Sequence, residues 1–411
     1  MTSFSRLRVK TQSYEWGRFG MDSKAGELAA ADPSFAPDAK TPYAELWMGT
    51  HPNAPSLLWD SQAPLKAVLT PENLSAQVSQ RFNGDLPFLF KVLSIQKALS
   101  IQAHPDKKLA ENLFKRFPNV YKDNNHKPEM TVALTDFEAL IGFRALPEIV
   151  VNLVKYPEFA SAIDVQARAD FASIKGSDSE AAQKAALKAL FKSLMEQDAE
   201  VIKTQIRALI VRLSSTKHSV GTTEELLVRL DSQFPSDVGI FCALLLNYVK
   251  LVPGEAIFLA ANEPHAYISG DCVECMAASD NVVRSGLTPK FKDVNTLVNM
   301  LTYNNGPAES QILKGVPYQN SATSFLYDPP IEEFSIIRTS LGAAGSEYFK
   351  GINGPSVLIV TSGSGSAHLP EAGASKTHEV GLGYVFFIGA NVEVTLSAGS
   401  SGLTAYRAFC I

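Results

Sequence analysis

The sequence predicts a mainly β protein with an α-helical insertion, and three regions of different pattern along the chain indicate it. Residues 1 to about 150 contain short apolar runs broken by Gly, Pro and Asn, which is typical of strands and turns. From Pro147 to about Leu230 the apolar period becomes helical, and after Pro235 strand-like runs return. Since no helices alternate with these later strands, we expect an antiparallel barrel or sandwich.

Length and charge narrow the classes of protein that fit. The chain has 411 residues, more than the roughly 100–200 of one domain, so we expect two or three cores. Hydrophobic residues make up 45% and charged residues 19%, with a mean hydropathy of +0.01, which is the balance of a folded globular protein. The formal net charge of −5 excludes the broad basic surface that general nucleic-acid binding requires.

The apolar runs and the cysteines indicate a compartment. No uninterrupted apolar run approaches the ~18–20 residues of a membrane helix, and the first residues lack an apolar signal core. Four cysteines in a chain of this length are no disulfide framework. We therefore expect a cytoplasmic protein that acts as a monomer, with no membrane partner and no nucleic-acid partner.

In the first region we expect strands and turns, with one helical segment. The helix is predicted near Lys107–Phe117, where charged and apolar residues alternate at helical spacing. The strands are predicted at the apolar runs Tyr43–Met48, Leu86–Val92, Met130–Val132 and Phe137–Phe143.

The middle region carries two series of apolar residues at helical spacing. Ser177 and Glu180, just before the first series, have the spacing of a capping box and predict a helix start. Both series predict amphipathic helices with a solvated Lys/Glu face. Their members are Leu187, Leu190, Phe191, Leu194 and Met195, followed by Ile202, Ile206, Leu209, Ile210 and Leu213.

The last region is expected to consist of strands with Gly and Pro between them. The stretch Thr361–Gly365 reads T-S-G-S-G, which predicts a loop. The expected strands are Ala256–Leu259, Val273–Met276, Phe334–Thr339, Val357–Thr361, Tyr384–Ile388 and Val392–Leu396.

One short segment combines polar residues in a way that an ordinary strand does not. Ser100, Gln102 and His104 are spaced by two, so on a strand they share one face, while Ile101 and Ala103 share the other. Three inward polar side chains are costly to bury without partners. A bound metal or a water-filled site would remove that cost.

Two distant residues complete a candidate ligand set. Glu129 lies 25 residues beyond His104, and His265 belongs to a second polar segment. Together with Gln102 they offer a mixed nitrogen and oxygen shell, which suits Zn²⁺ but also accommodates Fe²⁺, Mn²⁺ or Co²⁺. The alternative is structural, with His104 as a hydrogen-bonded turn residue and Gln102 as a polar group of an edge strand.

The pair Cys272-x-x-Cys275 does not indicate a second metal site. No second pair stands at zinc-finger spacing, and no thioredoxin-like βαβ context surrounds this one. On a strand the two thiols point to opposite faces. We interpret them as packing cysteines.

Two long motifs resemble the type I phosphomannose isomerase (mannose-6-phosphate isomerase) family. Tyr121–Glu129 reads Y-K-D-N-N-H-K-P-E, which matches the family pattern Y-x-D-x-N-H-K-P-E. His265–Lys290 reads H-A-Y-I-S-G-D-C-V-E-C-M-A-A-S-D-N-V-V-R-S-G-L-T-P-K, similar to the second signature, with Ser285 where the family usually has Ala. Supporting matches are Ser13–Gly17, Ala44–Pro52, Leu86–Asp106 and the segment from Pro330 to Ser335.

This resemblance implies a fold and a division of the chain. It implies two cupin-like antiparallel β-barrels plus a helical domain. The catalytic cupin domain would comprise residues 1–149 and 232–310, and the inserted helical domain residues 150–231. Residues 311–411 would form a non-catalytic cupin-like domain, because His368 and His378 lack a matching carboxylate pattern.

The resemblance also implies a reaction. It implies one Zn²⁺ per chain held by Gln102, His104, Glu129 and His265. It implies reversible interconversion of D-mannose 6-phosphate and D-fructose 6-phosphate by proton transfer between C1 and C2 through a cis-enediol. Such an enzyme would supply mannose 6-phosphate for GDP-mannose and glycosylation, or link mannose to glycolysis.

The chemistry of such an isomerase suggests roles for four catalytic candidates. Arg284 is the family's usual active-site arginine, and since its fixed charge cannot easily act as a base, we expect an oxyanion or phosphate clamp. Lys127, two residues before a ligand, is expected to relay protons with a lowered pKa. Asp280 or Glu274 would be the base that moves the proton between C1 and C2, or would orient it.

Four further residues are candidates for substrate contacts. Tyr267 and Lys290 are expected to bind sugar hydroxyls, and Ser100 and Lys91 to contact the phosphate. For each, the alternative is a supporting hydrogen bond or a surface charge. Three other polar or aromatic residues of the motifs are expected to form walls or packing: Trp16, Glu45 and His51.

Two other functions remain open on the sequence. A non-haem iron oxygenase commonly uses two histidines and one carboxylate, but Gln102 and the surrounding lysine and arginine favour an anionic sugar. A non-enzymatic sugar-phosphate sensor would be expected to lack metal ligands or Arg284, and all of these are present.

Overall fold

The strands form two large, mainly antiparallel sheets and one small sheet, in which Arg18–Phe19 pair with Pro42–Tyr43. The computed structural model describes residues 4–370 and 376–411. The strands are, in chain order, β1 (Phe4–Arg8), β2 (Lys10–Gln12), β3 (Arg18–Phe19), β4 (Pro42–Tyr43), β5 (Glu45–Met48), β6 (Leu57–Leu58), β7 (Phe88–Ile95), β8 (Ile101–Ala103), β9 (Glu129–Ala133), β10 (Phe137–Arg144), β11 (Leu246–Leu251), β12 (Ala256–Leu259), β13 (His265–Ala277), β14 (Val283–Gly286), β15 (Asn305–Gly306), β16 (Ile312–Leu313), β17 (Val316–Pro317), β18 (Ser324–Tyr327), β19 (Ser335–Leu341), β20 (Ser346–Phe349), β21 (Ser356–Leu369), β22 (Lys376–Gly381), β23 (Val385–Ile388) and β24 (Val394–Phe409).

Most of the helices follow β10 and precede β11 in the chain, so they divide the strands of the first sheet into two groups. They are α1 (Lys24–Ala29), α2 (Pro71–Leu74), α3 (Ala76–Arg81), α4 (Lys107–Arg116), α5 (Leu146–Lys155), α6 (Pro157–Ser161), α7 (Val165–Ser173), α8 (Glu180–Met195), α9 (Ala199–Ser214), α10 (Thr223–Gln233), α11 (Gly239–Cys242) and α12 (Val294–Met300). Within the two described ranges, no helix is both long and apolar enough to cross a membrane.

The first sheet is built around the long strand β13. Its second half pairs with β7 and β9, and its first half pairs with β8 and β10. The remaining strands extend these pairs in the order β16-β12-β9-β13-β7-β5-β2, with β14 on β8 and with β11 and β15 on β10. Because one strand serves two sets of neighbours, the sheet curls and its inner side chains converge.

The second sheet contains the C-terminal strands and two strands from the start of the chain. Its order is β17-β18-β19-β24-β21-β23-β1-β6, with β20 on β24 and β22 on β21. Phe4–Leu7 pair with Val385–Ile388, so β1 belongs to the C-terminal sheet although the predicted division placed it in the first domain. The predicted domain limits otherwise stay predictions.

Separate apolar cores fill and join these layers. One core joins the helices to the outer face of the first sheet through Ile101 and Ala103. A second core lies between the two sheets and includes Val92 and Val357, and a third lies inside the second sheet. The mainly β architecture with a helical insertion is therefore as the sequence predicts.

The two predicted amphipathic helices are α8 and α9, and their predicted apolar residues lie on the faces that pack inward. The predicted capping box at Ser177 is wrong. Ser179, directly before the first helical residue Glu180, caps α8 instead, and its side chain accepts the backbone N–H of Ala182. Ser177 lies too far upstream to reach that first turn.

The predicted loop Thr361–Gly365 is also wrong, since these residues lie inside β21. The strand stays paired to β24 because the ladder shifts register on each side of Gly363, at Val360/Ser362 and at Gly363/Gly365. Gly363 has φ +75, a conformation that glycine adopts without steric cost. The small residues thus mark bulges in a continuous strand rather than a turn.

Candidate metal and substrate site

Strand register brings three of the predicted site residues into one row. Gln102 on β8 lies opposite His265 on β13 and, on its other side, opposite Arg284 on β14. Ile101 and Ala103 are fully buried against the helical core, so Gln102 points to the opposite face, into the curl of the first sheet.

The side chains of His104, Glu129 and His265 converge inside this sheet. One ligand atom from each lies within 4.8 Å of the others. Glu129 Oε2 stands 3.5 Å from His104 Nε2 and 3.4 Å from His265 Nε2. The amide of Gln102 approaches the cluster, with its nitrogen 3.5 Å from His104 Nε2. Three of the four predicted metal ligands therefore form one buried group, and the fourth borders it.

Backbone carbonyls orient both imidazoles. His104 Nδ1 lies 2.7 Å from the carbonyl oxygen of Asn281, and His265 Nδ1 lies 3.1 Å from that of Glu263. If each Nδ1 donates to its carbonyl, each Nε2 directs a lone pair at the centre of the cluster, as metal-binding histidines require.

The protonation states of His104 and Glu129 suit the binding of a cation. Burial lowers the pKa of His104 to about 4, so its ring is neutral at pH 7. Burial opposes ionisation of Glu129, but Lys127 and then His104 hold the pKa of that carboxyl well below its usual range. His265 Nε2 is buried and has no hydrogen-bond partner among the residues that the structure describes. A buried orphan nitrogen facing a carboxylate fits a divalent metal ion.

A second group of buried charges lies beside this cluster. Lys91 Nζ stands 3.3 Å from Glu274 Oε2 and 3.8 Å from Glu45 Oε1. Tyr267 donates its hydroxyl to Glu274 Oε1 at 2.8 Å and meets Thr131 Oγ1 at 2.7 Å. Lys91 is enclosed, yet its two carboxylate neighbours raise its pKa against the effect of burial.

A bulge in β13 puts Tyr267 and Glu274 on the same face. They are seven residues apart, which in a regular strand would place them on opposite faces. The register between β10 and β13 shifts next to Ser269, and Gly270 has φ +110. A Cβ on Gly270 would stand 2.4 Å from the carbonyl oxygen of Asp136, so only glycine allows this close approach.

Lys127 connects the two groups of charge. Its Nζ lies 3.2 Å from Glu129 Oε1, and its charge also reaches His51, whose pKa is lowered mainly by burial. The charges of Asp280 and Lys91 act on His51 as well. His51 therefore lies close to Lys127, Asp280 and Lys91, since the charges of all three act on it.

The remaining predicted residues lie at the rim or outside the cluster. Arg284 is half-buried, burial lowers its pKa, and it has no ion pair within the described part of the chain. Asp280 is exposed, and its backbone N–H donates to Asp123 Oδ2 at 2.8 Å. Ser100 donates to Gln102 Oε1 at 3.3 Å, while Lys290 is exposed on the loop after β14. The structure does not bring Lys290 into contact with the metal-ligand cluster.

Sequence reasoning missed several supporting residues. Glu45 was expected to be packing, but it is a buried partner of Lys91 and also accepts from Trp47 Nε1. Asn281 supplies the carbonyl that orients His104, and its side-chain nitrogen donates to the backbone oxygen of Asp123 at 2.7 Å. The available signal was that Asn281 lies inside the second long motif and Glu45 inside the supporting match Ala44–Pro52.

The predicted packing cysteines are confirmed as free and buried. Cys272 belongs to the core inside the first sheet, and Cys275 belongs to the core between the sheets. Their opposite directions leave no cysteine in the metal-ligand cluster within the described residues.

The fold and the site together define a class, that of mainly antiparallel β proteins with a buried His/Glu/His metal site inside one sheet. Three family models match the chain. They are phosphomannose isomerase type I, catalytic domain, over residues 4–146; its helical insertion domain over 162–246; and its C-terminal part over 324–366.

Relatives and solved structures agree with these matches. Mannose-6-phosphate isomerase of Schizosaccharomyces pombe is 46% identical, covering 98% of this chain and 99% of that protein. The Saccharomyces cerevisiae enzyme is 44% identical, covering 98% of each. Mannose 6-phosphate isomerase from Salmonella typhimurium, bound to fructose 6-phosphate and zinc, is 31% identical with a TM-score of 0.81 and covers 99% of both chains.

The chain belongs to the type I phosphomannose isomerase family. The predicted family, the cupin-like fold and the enzyme class, an isomerase, are thereby confirmed.

Proposed function

We propose that this chain interconverts D-mannose 6-phosphate and D-fructose 6-phosphate with one zinc ion held by Gln102, His104, Glu129 and His265. The observation that carries the proposal is the buried cluster in which the imidazoles of His104 and His265 face one ionised carboxylate, that of Glu129. A half-turn of the Gln102 amide would direct its oxygen at the same centre. Zinc in this position would supply a Lewis acid that stabilises negative charge on the sugar oxygens.

The reaction needs a base for the carbon-bound proton. In the forward direction the base takes the proton from C2, the C–H electron pair forms the C1=C2 bond of an enediol, and O1 gains a proton. O2 then loses its proton as C2=O forms, and the base returns its proton to C1. Asp280 is our candidate for the base, because its carboxylate is exposed and its charge reaches the space around His51.

Lys127 is our candidate for the proton relay between O1 and O2. It lies at Glu129 and borders the same space, and an ammonium can both donate and recover a proton there. Glu274 is fixed by Lys91 and Tyr267, which occupy one carboxylate oxygen each. This placement favours a supporting role for Glu274, which sets the charge pattern around the sugar.

The phosphate contacts follow from which cations are free. Lys91 is already paired with two buried carboxylates, so it is less suited to the phosphate than Arg284, whose guanidinium has no ion pair in the described chain. We assign the dianion to Arg284, with Ser100 and Lys290 as further donors. Tyr267 is enclosed by Thr131 and Glu274, which favours a structural role over sugar binding.

Proton transfer is tested by the fate of deuterium. The zinc-loaded protein is incubated with mannose 6-phosphate in D₂O, and the products are followed by proton and carbon NMR. We expect fructose 6-phosphate with deuterium at C1 and mannose 6-phosphate with deuterium at C2, because the base exchanges its proton with solvent. Conversion with no deuterium in either sugar would contradict a solvent-exchanging enediol route.

Asp280→Asn identifies the base. We expect the variant to keep its zinc and its fold, and to lose both conversion and deuterium exchange. Glu274→Gln is the matched carboxylate variant, and it is expected to keep slow exchange. Deuterium exchange at the normal rate in Asp280→Asn would instead assign the role of the base to Glu274.

Wider roles follow from the same reaction. We propose a monomeric enzyme of the cytoplasm that supplies mannose 6-phosphate for GDP-mannose and glycosylation, or feeds mannose into glycolysis. Four free, buried cysteines are consistent with a reducing compartment.

A further inference from the structure

The interior of the second sheet contains one arginine among apolar side chains. Arg407 on β24 is only 4% exposed. It lies directly opposite Ile337 on β19 and Leu358 on β21, and both belong to the apolar core inside that sheet. Its strand neighbours at even numbers, such as Ala408, face the core between the two sheets instead. Arg407 therefore points into the interior of the second sheet.

Its guanidinium is only partly bonded. Nε donates to Ser356 Oγ at 2.8 Å. Neither Nη1 nor Nη2 has a hydrogen-bond partner within residues 4–370 and 376–411. Four N–H donors of one buried group are thus unused, and among these residues no carboxylate pairs with its charge.

An arginine in this state is unusual because it keeps its charge. Burial lowers the pKa of Arg407 to about 10, which still leaves the group protonated at neutral pH. A buried charge without a partner is costly, and a buried donor without an acceptor adds to that cost. The fold needs a compensating group at this place.

A small cavity lies at the guanidinium. The space open to the centre of a water-sized sphere is about 10 Å³, which is room for a single water molecule or a monatomic ion. Apart from Arg407, its polar lining is Thr339, whose hydroxyl is engaged with Ser324 Oγ at 2.8 Å. The other lining residues are apolar: Ile337, Phe349, Leu358, Val394, Leu396 and Ala405.

We propose that the interior of the second sheet binds one small inorganic anion of halide size at the Nη atoms of Arg407. A water molecule would accept from two N–H groups and leave the positive charge uncompensated. A phosphate or a sugar phosphate is too large for the cavity. Chloride satisfies the charge and the unused donors together.

This site is separate from the proposed catalytic site. Its lining residues lie on β19, β20, β21 and β24, none of which carries a proposed zinc ligand or substrate contact. An anion that binds the folded chain and not the unfolded chain stabilises the folded state by mass action. We therefore expect the stability of the folded chain to depend on the halide concentration.

Bromide provides the direct test, because it replaces chloride and scatters anomalously. Crystals of the full chain are grown in sodium bromide, and an anomalous difference map is calculated. We expect a peak at the Nη atoms of Arg407 inside the cavity. A water molecule without anomalous signal, or an empty cavity, would overturn the proposal.

Unfolding in solution provides the second test. The thermal midpoint of the full chain is measured as chloride replaces gluconate at constant ionic strength. We expect the midpoint to rise with chloride in the wild type and in Arg207→Met, an exposed arginine on α9 that serves as control. We expect no such rise in Arg407→Met, because the apolar side chain needs no counterion.

The same chloride dependence in all three proteins would show a general salt effect and would overturn the proposal, as would a wild type indifferent to chloride. If Arg407→Met does not fold, the bromide map of the wild type decides. Inorganic phosphate at the same ionic strength serves as a size control. Because phosphate also binds at the proposed substrate site, any rise that it causes is expected to be the same in the wild type and in Arg407→Met. A phosphate effect that requires Arg407 would contradict a site of halide size.

Discussion

The interiors of the two sheets differ in how they treat charge. Inside the first sheet, Lys91 lies between Glu45 and Glu274, and Lys127 lies against Glu129. Inside the second sheet, Arg407 stands among apolar residues with unused donors. Buried charges that face one another can be rearranged by a substrate, whereas a lone charge needs a fixed partner. The first arrangement suits chemistry, and the second suits one permanent small ion.

The difference follows from which strand rows carry polar residues. In the first sheet one row runs through Trp47, Lys91, Glu274 and Thr131 on adjacent strands. The corresponding inner row of the second sheet runs through Ile337, Arg407 and Leu358. Opposite charges on directly opposed residues stabilise a sheet, while an arginine between two aliphatic residues has nothing to pair with.

Replacement of Glu129 should have the largest effect on zinc content and isomerase activity. Glu129→Ala removes the carboxylate between the two histidines, so we expect zinc content and isomerase activity to fall together, the activity by roughly 10³-fold. Glu111→Ala, an exposed glutamate on α4, is the control. Full zinc occupancy in Glu129→Ala would remove this residue from the ligand set.

Replacement of Lys91 tests whether the buried ion pairs with Glu45 and Glu274 stabilise the fold of the first sheet. Lys91→Met leaves Glu45 and Glu274 without their cation, and we expect the free energy of unfolding at pH 7 to fall by about 3 kcal/mol. Urea unfolding measures this, with exposed Lys108→Met as control. The double variant Lys91→Met with Glu45→Gln should recover part of the loss. Unchanged stability in Lys91→Met would mean that the two carboxylates are neutral in the fold.

Loss of Arg284 separates substrate binding from the fold. Arg284→Ala should keep zinc and stability, because this side chain has no ion pair in the described chain, and should lose roughly 10²-fold in kcat/KM. Steady-state kinetics and metal analysis on the same sample measure both. Near-normal turnover would exclude Arg284 from the mechanism.

The contact between the two sheets should produce the smallest effect. His126, which precedes Lys127, bonds through Nε2 to the carboxylate of Glu333 from the C-terminal part of the chain. Glu333→Gln should lower kcat by about 10-fold, as loss of a group that supports active-site residues does. An unchanged kcat would show that the second sheet does not position Lys127.

The same contact predicts a dependence on pH. Burial opposes ionisation of Glu333, but His126 holds the pKa of its carboxyl below the usual value. A depressed carboxyl pKa adds stability above the unfolded-state pKa, and this stability is lost as pH falls through the folded-state pKa. The wild type should therefore lose more stability than Glu333→Gln on acidification. Parallel pH profiles would contradict this role of the ion pair.

Much of this organisation could be predicted from sequence, for physical reasons. The alternation of polar and apolar residues around Gln102 predicted the face of the strand on which this side chain lies. Such alternation with a period of two residues depends only on the local sequence. Helix starts depend on one hydrogen bond, and Ser177 and Ser179 differ too little in sequence for the cap to be assigned. The bulges at Gly363 and Gly270 depend on partners far along the chain, as does the pairing of β1 with the C-terminal sheet.

The charge pairs were harder to predict than the ligands. The candidate ligands could be proposed from their residue types together with the family resemblance. The sequence around Lys91, in contrast, does not distinguish a lysine that contacts a phosphate from one that pairs with two carboxylates. Arg407 lies in a strand with no motif, and only the packing around it shows that it is buried.

In the proposed mechanism, the cluster of Gln102, His104, Glu129 and His265 holds the metal that the isomerase needs. Metal content and conversion of mannose 6-phosphate are measured on one sample, before and after chelation and after zinc is restored. We expect about one zinc per chain, activity lost on chelation and activity regained with zinc. Metal-free protein with full activity would contradict the account, and stoichiometric iron without isomerase activity would favour an oxygenase instead.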